Sequence, residues 1–290
     1  MSLPVPARLR TALGEVSGRL AAAGVPSPTV DARALIARAA GEPAHLVLLD
    51  ALPDGFDAHL EELTRRREAR EPLQLILGSA PFRRLQLEVA AGVFIPRPET
   101  EVALDVLLEH ARTEHVAQVL DLCTGSGAIA AAVLDEMPGV RVLAVERDPA
   151  AARLAARNIA AAGGDRGTVL QGDVREVPIE PGVDAVLSNP PYIPAGQVPR
   201  DPEVLAHDPE AALYGGGEDG LQIPRAIIVR AARLLRPGGL LVMEHADVQG
   251  PATCAIAQET GAFEQVRTRV DLTGRDRFLV AVRRQAEVRD

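Results

Sequence analysis

Residues 119–128 read Val119-Leu120-Asp121-Leu122-Cys123-Thr124-Gly125-Ser126-Gly127-Ala128. An apolar run passes straight into a glycine-rich turn, and an alanine-rich helical stretch, Ile129 to Glu136, follows. The order is strand, tight turn, helix start. Gly125 and Gly127 lack side chains, so backbone can approach a ligand closely. The helix behind them aims unpaired N–H groups at whatever sits there. Asp121, Cys123, Thr124, Gly125, Ser126 and Gly127 are therefore candidate binding residues. The turn alone fits a ligand-free strand-to-helix connection equally well.

Outward from this turn, short apolar runs alternate with alanine-rich helical stretches. Strands are expected at Gln118–Leu122, Arg141–Val145, Thr168–Gln171, Ala185–Leu187, Leu240–Glu244, Phe263–Thr268 and Arg277–Val282. Helices fit Ile129–Glu136, Ala150–Ala161 and Ile223–Leu235. This alternation predicts an α/β fold, a doubly wound, mostly parallel, Rossmann-like sheet of seven strands. Ligands of such sheets bind at the carboxyl ends of the strands. Glu146 ends the second strand, where a carboxylate accepts hydrogen bonds from both hydroxyls of a ribose. Asp173, after the third, is placed to receive an adenine amino group. NAD competes for this pocket, because Gly125-x-Gly127-x-x-Ala130 satisfies a relaxed dinucleotide fingerprint. Asp121 speaks against a pyrophosphate and for a cationic ligand end, such as the ammonium and sulfonium of S-adenosylmethionine.

A second loop follows the fourth strand. Apolar Val183–Leu187 runs directly into Ser188-Asn189-Pro190-Pro191-Tyr192. Two prolines remove two N–H donors and hold the chain extended, so the carbonyls are fixed and uncontested. Asn189 adds a side-chain acceptor. Two convergent acceptors suit a planar –NH₂ group, and Tyr192 offers it a flat surface. An amide or amino nitrogen is a poor nucleophile because its lone pair is delocalised. Holding both hydrogens directs that lone pair at a bound methyl group, through orientation.

With both loops in view, the chain resembles the amino-group methyltransferases that use S-adenosylmethionine. More specifically it resembles the bacterial peptide-chain release factor N5-glutamine methyltransferase family (PrmC/HemK). Three further segments carry this likeness: Phe94–Glu101, Ala211–Leu221 and Arg236–Glu244. The resemblance covers about residues 70–282. It implies a class I methyltransferase domain behind a small helical domain that recognises the substrate. It also implies methyl transfer to the side-chain N5 of the glutamine in the Gly-Gly-Gln motif of release factors, modulating translation termination. By position, Asp121, Cys123 to Gly127, Glu146, Asp173, Val174 and Asn189 are implied to hold the cofactor. Asn189, Pro190, Pro191 and Tyr192 are implied to hold the glutamine amide, with Asn189, Pro190 and Tyr192 catalytic and Arg97 on the substrate side. Cys123 stands where the family usually has Gly, and Ala246 where Gly often follows the fifth strand. Both replacements are small, so a slightly tighter pocket is expected rather than lost activity.

The rest of the chain is read around this centre. Residues 1–72 are expected to be a helical domain, 73–95 a β-hairpin linker, in which Leu73, Leu75 and Leu77 alternate, and 96–290 the catalytic domain. Arg97 either pairs with Glu99 or Glu101 at a helix entry or, on the family reading, lies over the cofactor or substrate channel. Residues 193–222, with four prolines, read as a long loop serving as a lid. The Arg65–Arg70 cluster reads as a solvated helix face, with a partner or ribosomal RNA contact as the other option. Six histidines show no metal-ligand spacing, and Ser126 is no nucleophile elbow.

Composition narrows the chemistry further. The 290 residues contain 31 basic side chains, all Arg, which excludes Schiff-base lysines and a Walker A lysine. The formal charge of −9 falls wholly after residue 70, which argues against bulk nucleic-acid binding. Two cysteines make no disulfide framework. No signal peptide and no apolar run of membrane-spanning length are evident, so a soluble, cytoplasmic monomer without metal is expected. Alternatives are glutamine methylation of a ribosomal protein, adenine N6 methylation of nucleic acid, and a non-catalytic S-adenosylmethionine-binding regulator.

Overall fold

The computed structural model describes residues 5–41, 51–199 and 201–285. Two units emerge: one holds the described residues up to Ser79 together with Asp201–His207, and the other holds the rest.

In the first unit, helix α1 (Val5–Ala22) buries Leu9, Val16 and Leu20, one stripe of a 3.6-residue period. Helix α2 (Pro28–Ala39) starts on a proline, which has no N–H to lose in a first turn. Helix α3 (Phe56–Glu68) contributes Phe56, Leu60 and Leu63 to the same core. Residues Leu73–Leu77 form a short helix, α4, not the expected strand. Pro72 precedes it in an extended conformation and Gly78, at φ 75°, ends it. An almost wholly apolar run such as Leu-Gln-Leu-Ile-Leu fits either period, and burial of Ile76 against the helical core decides it. The hairpin is therefore shorter than expected: β1 (Ser79–Phe82) and β2 (Leu85–Glu88).

The Arg65–Arg70 cluster is only partly the solvated face expected: Arg65 is exposed, but the others are tied into ion pairs. Arg67 is 4% exposed. Its guanidinium donates to Asp31 at 2.7 Å and to Glu203 at 2.8 Å. Arg70 reaches the same Glu203 at 2.9 Å, and Arg66 pairs with Glu71.

The second unit is a seven-stranded sheet. In chain order its elements are α5 (Val102–His110), β3 (Gln118–Leu122), α6 (Ala128–Glu136), β4 (Arg141–Glu146), α7 (Pro149–Gly163), β5 (Gly167–Gln171) and β6 (Val183–Ser188). After two short helices, α8 (Pro202–His207) and α9 (Glu210–Leu213), come α10 (Gln222–Leu234), β7 (Leu235–Glu244), α11 (Gly250–Glu259), β8 (Phe263–Val270) and β9 (Asp276–Arg283). By its contacts α8 belongs to the first unit. The spatial order is β5-β4-β3-β6-β7-β9-β8, with β9 antiparallel to its neighbours.

Alternate residues of the central strands feed two cores. Val119, Val142, Ala185 and Val242 face α5, α6 and α7, whereas Leu120, Val186, Leu241 and Met243 face α10 and α11. Burial on both faces explains why these strands read as unbroken apolar runs. The strand order reverses between β3 and β6, which lie side by side with Leu122 opposite Ser188. The crevice at their carboxyl ends is the place where such sheets bind ligands. Residues 193–222 are not one loose loop: they hold α8, α9 and a bridge between Ile193 and Tyr214.

Replacing Arg67 by Met would leave Asp31 as an uncompensated buried carboxylate and Glu203 with Arg70 as its remaining ionic partner. The expected loss is about 3 kcal/mol of stability, read by urea unfolding. A variant as stable as the parent would show that the triad contributes nothing.

Candidate active site

The turn after β3 is built from its own backbone. Thr124 N–H donates to Val145 O at 3.0 Å, tying the turn to β4, and Gly127 N–H donates to Thr124 O at 2.9 Å. Cys123 (φ 60°), Gly125 (φ 58°) and Gly127 (φ 84°) all take left-handed backbone. That conformation is strained for a residue with a side chain, a cost that Cys123 bears and Gly would not. A Cβ on Gly125 would meet nothing, because the position opens onto a cavity. One on Gly127 would come within 3.0 Å of the Ala155 backbone, so this glycine serves helix packing against α7.

A cavity of about 380 Å³ lies over the turn. Its wall includes Cys123, Thr124, Gly125, Ser126, Glu146, Asp173, Val174, Asn189, Pro190, Pro191, Tyr192 and Arg97. Of the residues expected at the site, Asp121 and Gly127 do not line it. Asp121 is fully buried beneath the turn. Its Oδ2 accepts from the Thr124 hydroxyl at 2.5 Å and from Ala130 N–H at 3.1 Å, and its Oδ1 has no protein partner. Burial pushes its pKa up to about 7.

Glu146 closes one side. Its two oxygens accept from Gly125 N–H at 2.9 Å and Asp148 N–H at 2.8 Å, so the carboxylate is aimed before any ligand arrives. Each oxygen keeps acceptor capacity. Asp173 is gripped by the Arg175 guanidinium and backbone N–H, which hold its pKa down to about 2. Burial and the surrounding carboxylates push the Cys123 thiol up, so it stays protonated.

The opposite wall is Asn189 to Tyr192, carried directly off the end of β6. Ser188 Oγ donates to Leu122 O at 2.6 Å and pins this end to β3. Tyr192 N–H and Ile193 N–H both donate to Leu213 O, and Gln249 Nε2 donates to Tyr192 O at 2.9 Å. A Cβ on Gly215 or Gly220 would collide with Pro191 O or Tyr192 O, so these glycines let the 213–221 segment close onto the loop. Asn189 Nδ2 donates to Thr100 Oγ1 at 3.1 Å. Thr100 in turn donates to Glu244 Oε2 at 2.6 Å, and the Tyr192 hydroxyl donates to Glu244 Oε1 at 3.1 Å. Burial pushes the Glu244 carboxyl up to about 7, and burial beside Glu244 also pushes the Tyr192 hydroxyl up.

Arg97 pairs with neither Glu99 nor Glu101. It donates to Asp208 at 2.5 Å and lies 5.0 Å from the Phe94 ring centroid. Sequence reasoning gave no role to Thr100, Asn158, Glu244 or Gln249. Thr100 and Glu244 sit inside two segments that carried the resemblance, which was the available signal. Asn158 was only a polar residue in an alanine-rich helix. It donates to Ser126 O at 2.8 Å and to Glu88 O, clamping the turn. Among the described residues no cluster is placed to hold a metal, and no helix is long and apolar enough to cross a membrane.

Residues 84–208 match the family model of the methyltransferase small domain, and residues 11–78 match that of the PrmC N-terminal domain. With its strand order and glycine-rich turn, the second unit has the class I methyltransferase fold. A protein named release factor glutamine methyltransferase from Bifidobacterium longum is 42% identical, over 93% of this chain and 98% of its own length. Those of the same name from Mycolicibacterium smegmatis and Streptomyces coelicolor are each 44% identical, over 95% and 93% of this chain and 98% and 96% of theirs. The chain belongs to the release factor glutamine methyltransferase family.

Asp121 makes stability depend on pH. Its carboxyl titrates at the ordinary 3.8 when unfolded and about 7 when folded. Its contribution is full below the unfolded value and is lost as pH rises through the folded one, at up to ~1.4 kcal/mol per pH unit. Asp121→Asn should remove this slope, so the parent loses ground to the variant between about pH 5 and pH 7 in urea unfolding. A stability difference that stays constant over this range would contradict the buried carboxyl.

Proposed function

We propose that this chain transfers a methyl group from S-adenosylmethionine to the side-chain N5 of the glutamine in the Gly-Gly-Gln motif of peptide-chain release factors. The observation that carries the reading is that Asn189-Pro190-Pro191-Tyr192 forms one wall of the cavity whose other walls are the Thr124–Ser126 turn and Glu146. Two loops from adjacent strand ends thus face a single space.

The residues present fit this cofactor. Gly125 leaves backbone open to the cavity, and Glu146 offers remaining acceptor capacity to ribose hydroxyls. Asp173 and Val174 line the same cavity, which supports their assignment to the adenine. The orphaned Oδ1 of Asp121, just beneath the turn, favours a cationic ligand end. When bound, S-adenosylmethionine supplies an electrophilic methyl on a positively charged sulfur.

The chain's own residues present the acceptor nitrogen to it. Asn189 Oδ1 and the Pro190 carbonyl each take one hydrogen of the glutamine –NH₂, turning its lone pair toward the methyl. Tyr192 supports the amide plane. Arg97, fixed by Asp208, borders the entrance for the substrate. This holds the reactants in line and reduces the entropic part of the barrier. The helical unit recognises the release factor, and the enzyme acts in the cytoplasm as a monomer. An adenine amino group would satisfy the same two acceptors, and it is the family match over both units that favours release factors.

The test incubates the enzyme with methyl-labelled cofactor and a release factor and locates the label by mass spectrometry. One added methyl on the Gly-Gly-Gln glutamine is expected, and none, with cofactor bound, would overturn the reading. Asn189→Ala should cut turnover by roughly 100-fold or more while cofactor affinity holds. Unchanged turnover would remove Asn189 from its role.

A further inference from the structure

Resting on the reading above, we infer that Glu244 and Thr100 are positioning residues that set the hydrogen-bond direction of Asn189, making its Oδ1 the atom presented to the substrate amide.

The hydrogen count of this network fixes the direction. The two ends of an Asn amide have the same shape and opposite hydrogen-bonding character, so whichever faces the cavity decides whether the site accepts or donates. A substrate –NH₂ needs an acceptor. Nothing in the Asn189 side chain alone makes that choice. Thr100 has one hydroxyl hydrogen and stands between two partners, Glu244 Oε2 at 2.6 Å and the Asn189 amide at 3.1 Å. An ionised carboxylate can only accept, so the hydrogen of Thr100 goes to Glu244. Thr100 Oγ1 is then left to accept, and only Nδ2 of Asn189 can donate to it. Oδ1 is thereby turned away from Thr100. The direction of the chain is imposed from its buried end.

The surroundings keep it so. Thr100 is 4% and Glu244 3% exposed, so water does not compete for these bonds. The second oxygen of Glu244 accepts from the Tyr192 hydroxyl at 3.1 Å, so one carboxylate anchors both side chains that flank the substrate amide. Burial pushes the Glu244 carboxyl up to about 7, with Glu99 adding to this. The Thr100 hydroxyl, the positive charge of Arg277 on β9 and the Tyr192 hydroxyl favour the ionised form, in which the direction of the chain is set. Register explains how the residues meet. Met243 pairs with Ser188 across β7 and β6, which brings Glu244 beside Asn189. A carboxylate costs free energy to bury, and apolar packing would serve stability better. Its retention fits a role in the site. Glu244 does not line the cavity and acts only through its partners.

The experiment compares Thr100→Val, which keeps the shape and removes the hydroxyl, with Thr100→Ser, which keeps the hydroxyl. Thr100→Val should lower kcat for release-factor methylation roughly 10- to 100-fold, the effect of one lost polar contact in a dry site, with cofactor affinity within about twofold. Thr100→Ser should recover most of that loss. A second readout needs no turnover: the Asn189 side-chain amide resonances in ¹⁵N spectra, assigned with Asn189→Ala, should shift in Thr100→Val and hold in Thr100→Ser. Melting curves confirm that each variant is folded. Thr100→Val with parental kcat and an unmoved Asn189 resonance overturns the proposal, as does Thr100→Ser as impaired as Thr100→Val. A parent enzyme that leaves the glutamine unmethylated overturns the substrate reading, and this role in methyl transfer with it.

Discussion

A parallel sheet buried on both faces has no room for polar side chains except at its strand ends, and the site depends on that constraint. Strands β3, β4, β6 and β7 are lined on one side by α5, α6 and α7 and on the other by α10 and α11. At their carboxyl ends stand Asp121, Glu146, Asn189 and Glu244. The Ser188 hydroxyl, bonded to Leu122 O, locks the two strands at which the order reverses. The turn after β3 and the Asn-Pro-Pro-Tyr loop after β6 therefore start from fixed points a strand spacing apart.

Two carboxylates are held at this edge at a cost. Asp121 and Glu244 are both pushed up toward neutrality by burial, yet each is bound by donors that suit the ionised form. The two occupy corresponding places, Asp121 under the turn and Glu244 under the Asn-Pro-Pro-Tyr loop. Each organises the loop above it without lining the cavity. Asp121 holds Thr124, and Glu244 holds Thr100 and Tyr192. The cavity wall thus carries the charges of Glu146, Asp173 and Arg97 itself, while Asp121 and Glu244 act from one layer deeper.

Much of this was legible in the chain. Strands β3 and β4 and helices α6, α7 and α10 fell near their expected bounds, because their apolar periods were strong and bounded by Gly, Pro or Asp. The two loops stood out because glycine and proline carry backbone information locally. Leu73–Leu77 did not, since an apolar pentamer carries no period of its own. Arg67 looked like one more surface arginine until Asp31 and Glu203, 36 residues before it and 136 after it, closed around it. Arg97 had two acidic neighbours in sequence and chose a third, Asp208, in space.

The sequence by itself determined the strand–turn–helix order, the flexible and rigid backbone of the two loops, and the absence of any lysine-dependent chemistry. These are properties of single residues and their near neighbours. Only the tertiary structure decided which side of the turn each carboxylate takes. It put Asp121 below the turn rather than in the cavity and joined Asn189 to Thr100 and Glu244. Hydrogen-bond direction at a buried site is a property of the closed network, and its members lie up to 144 residues apart.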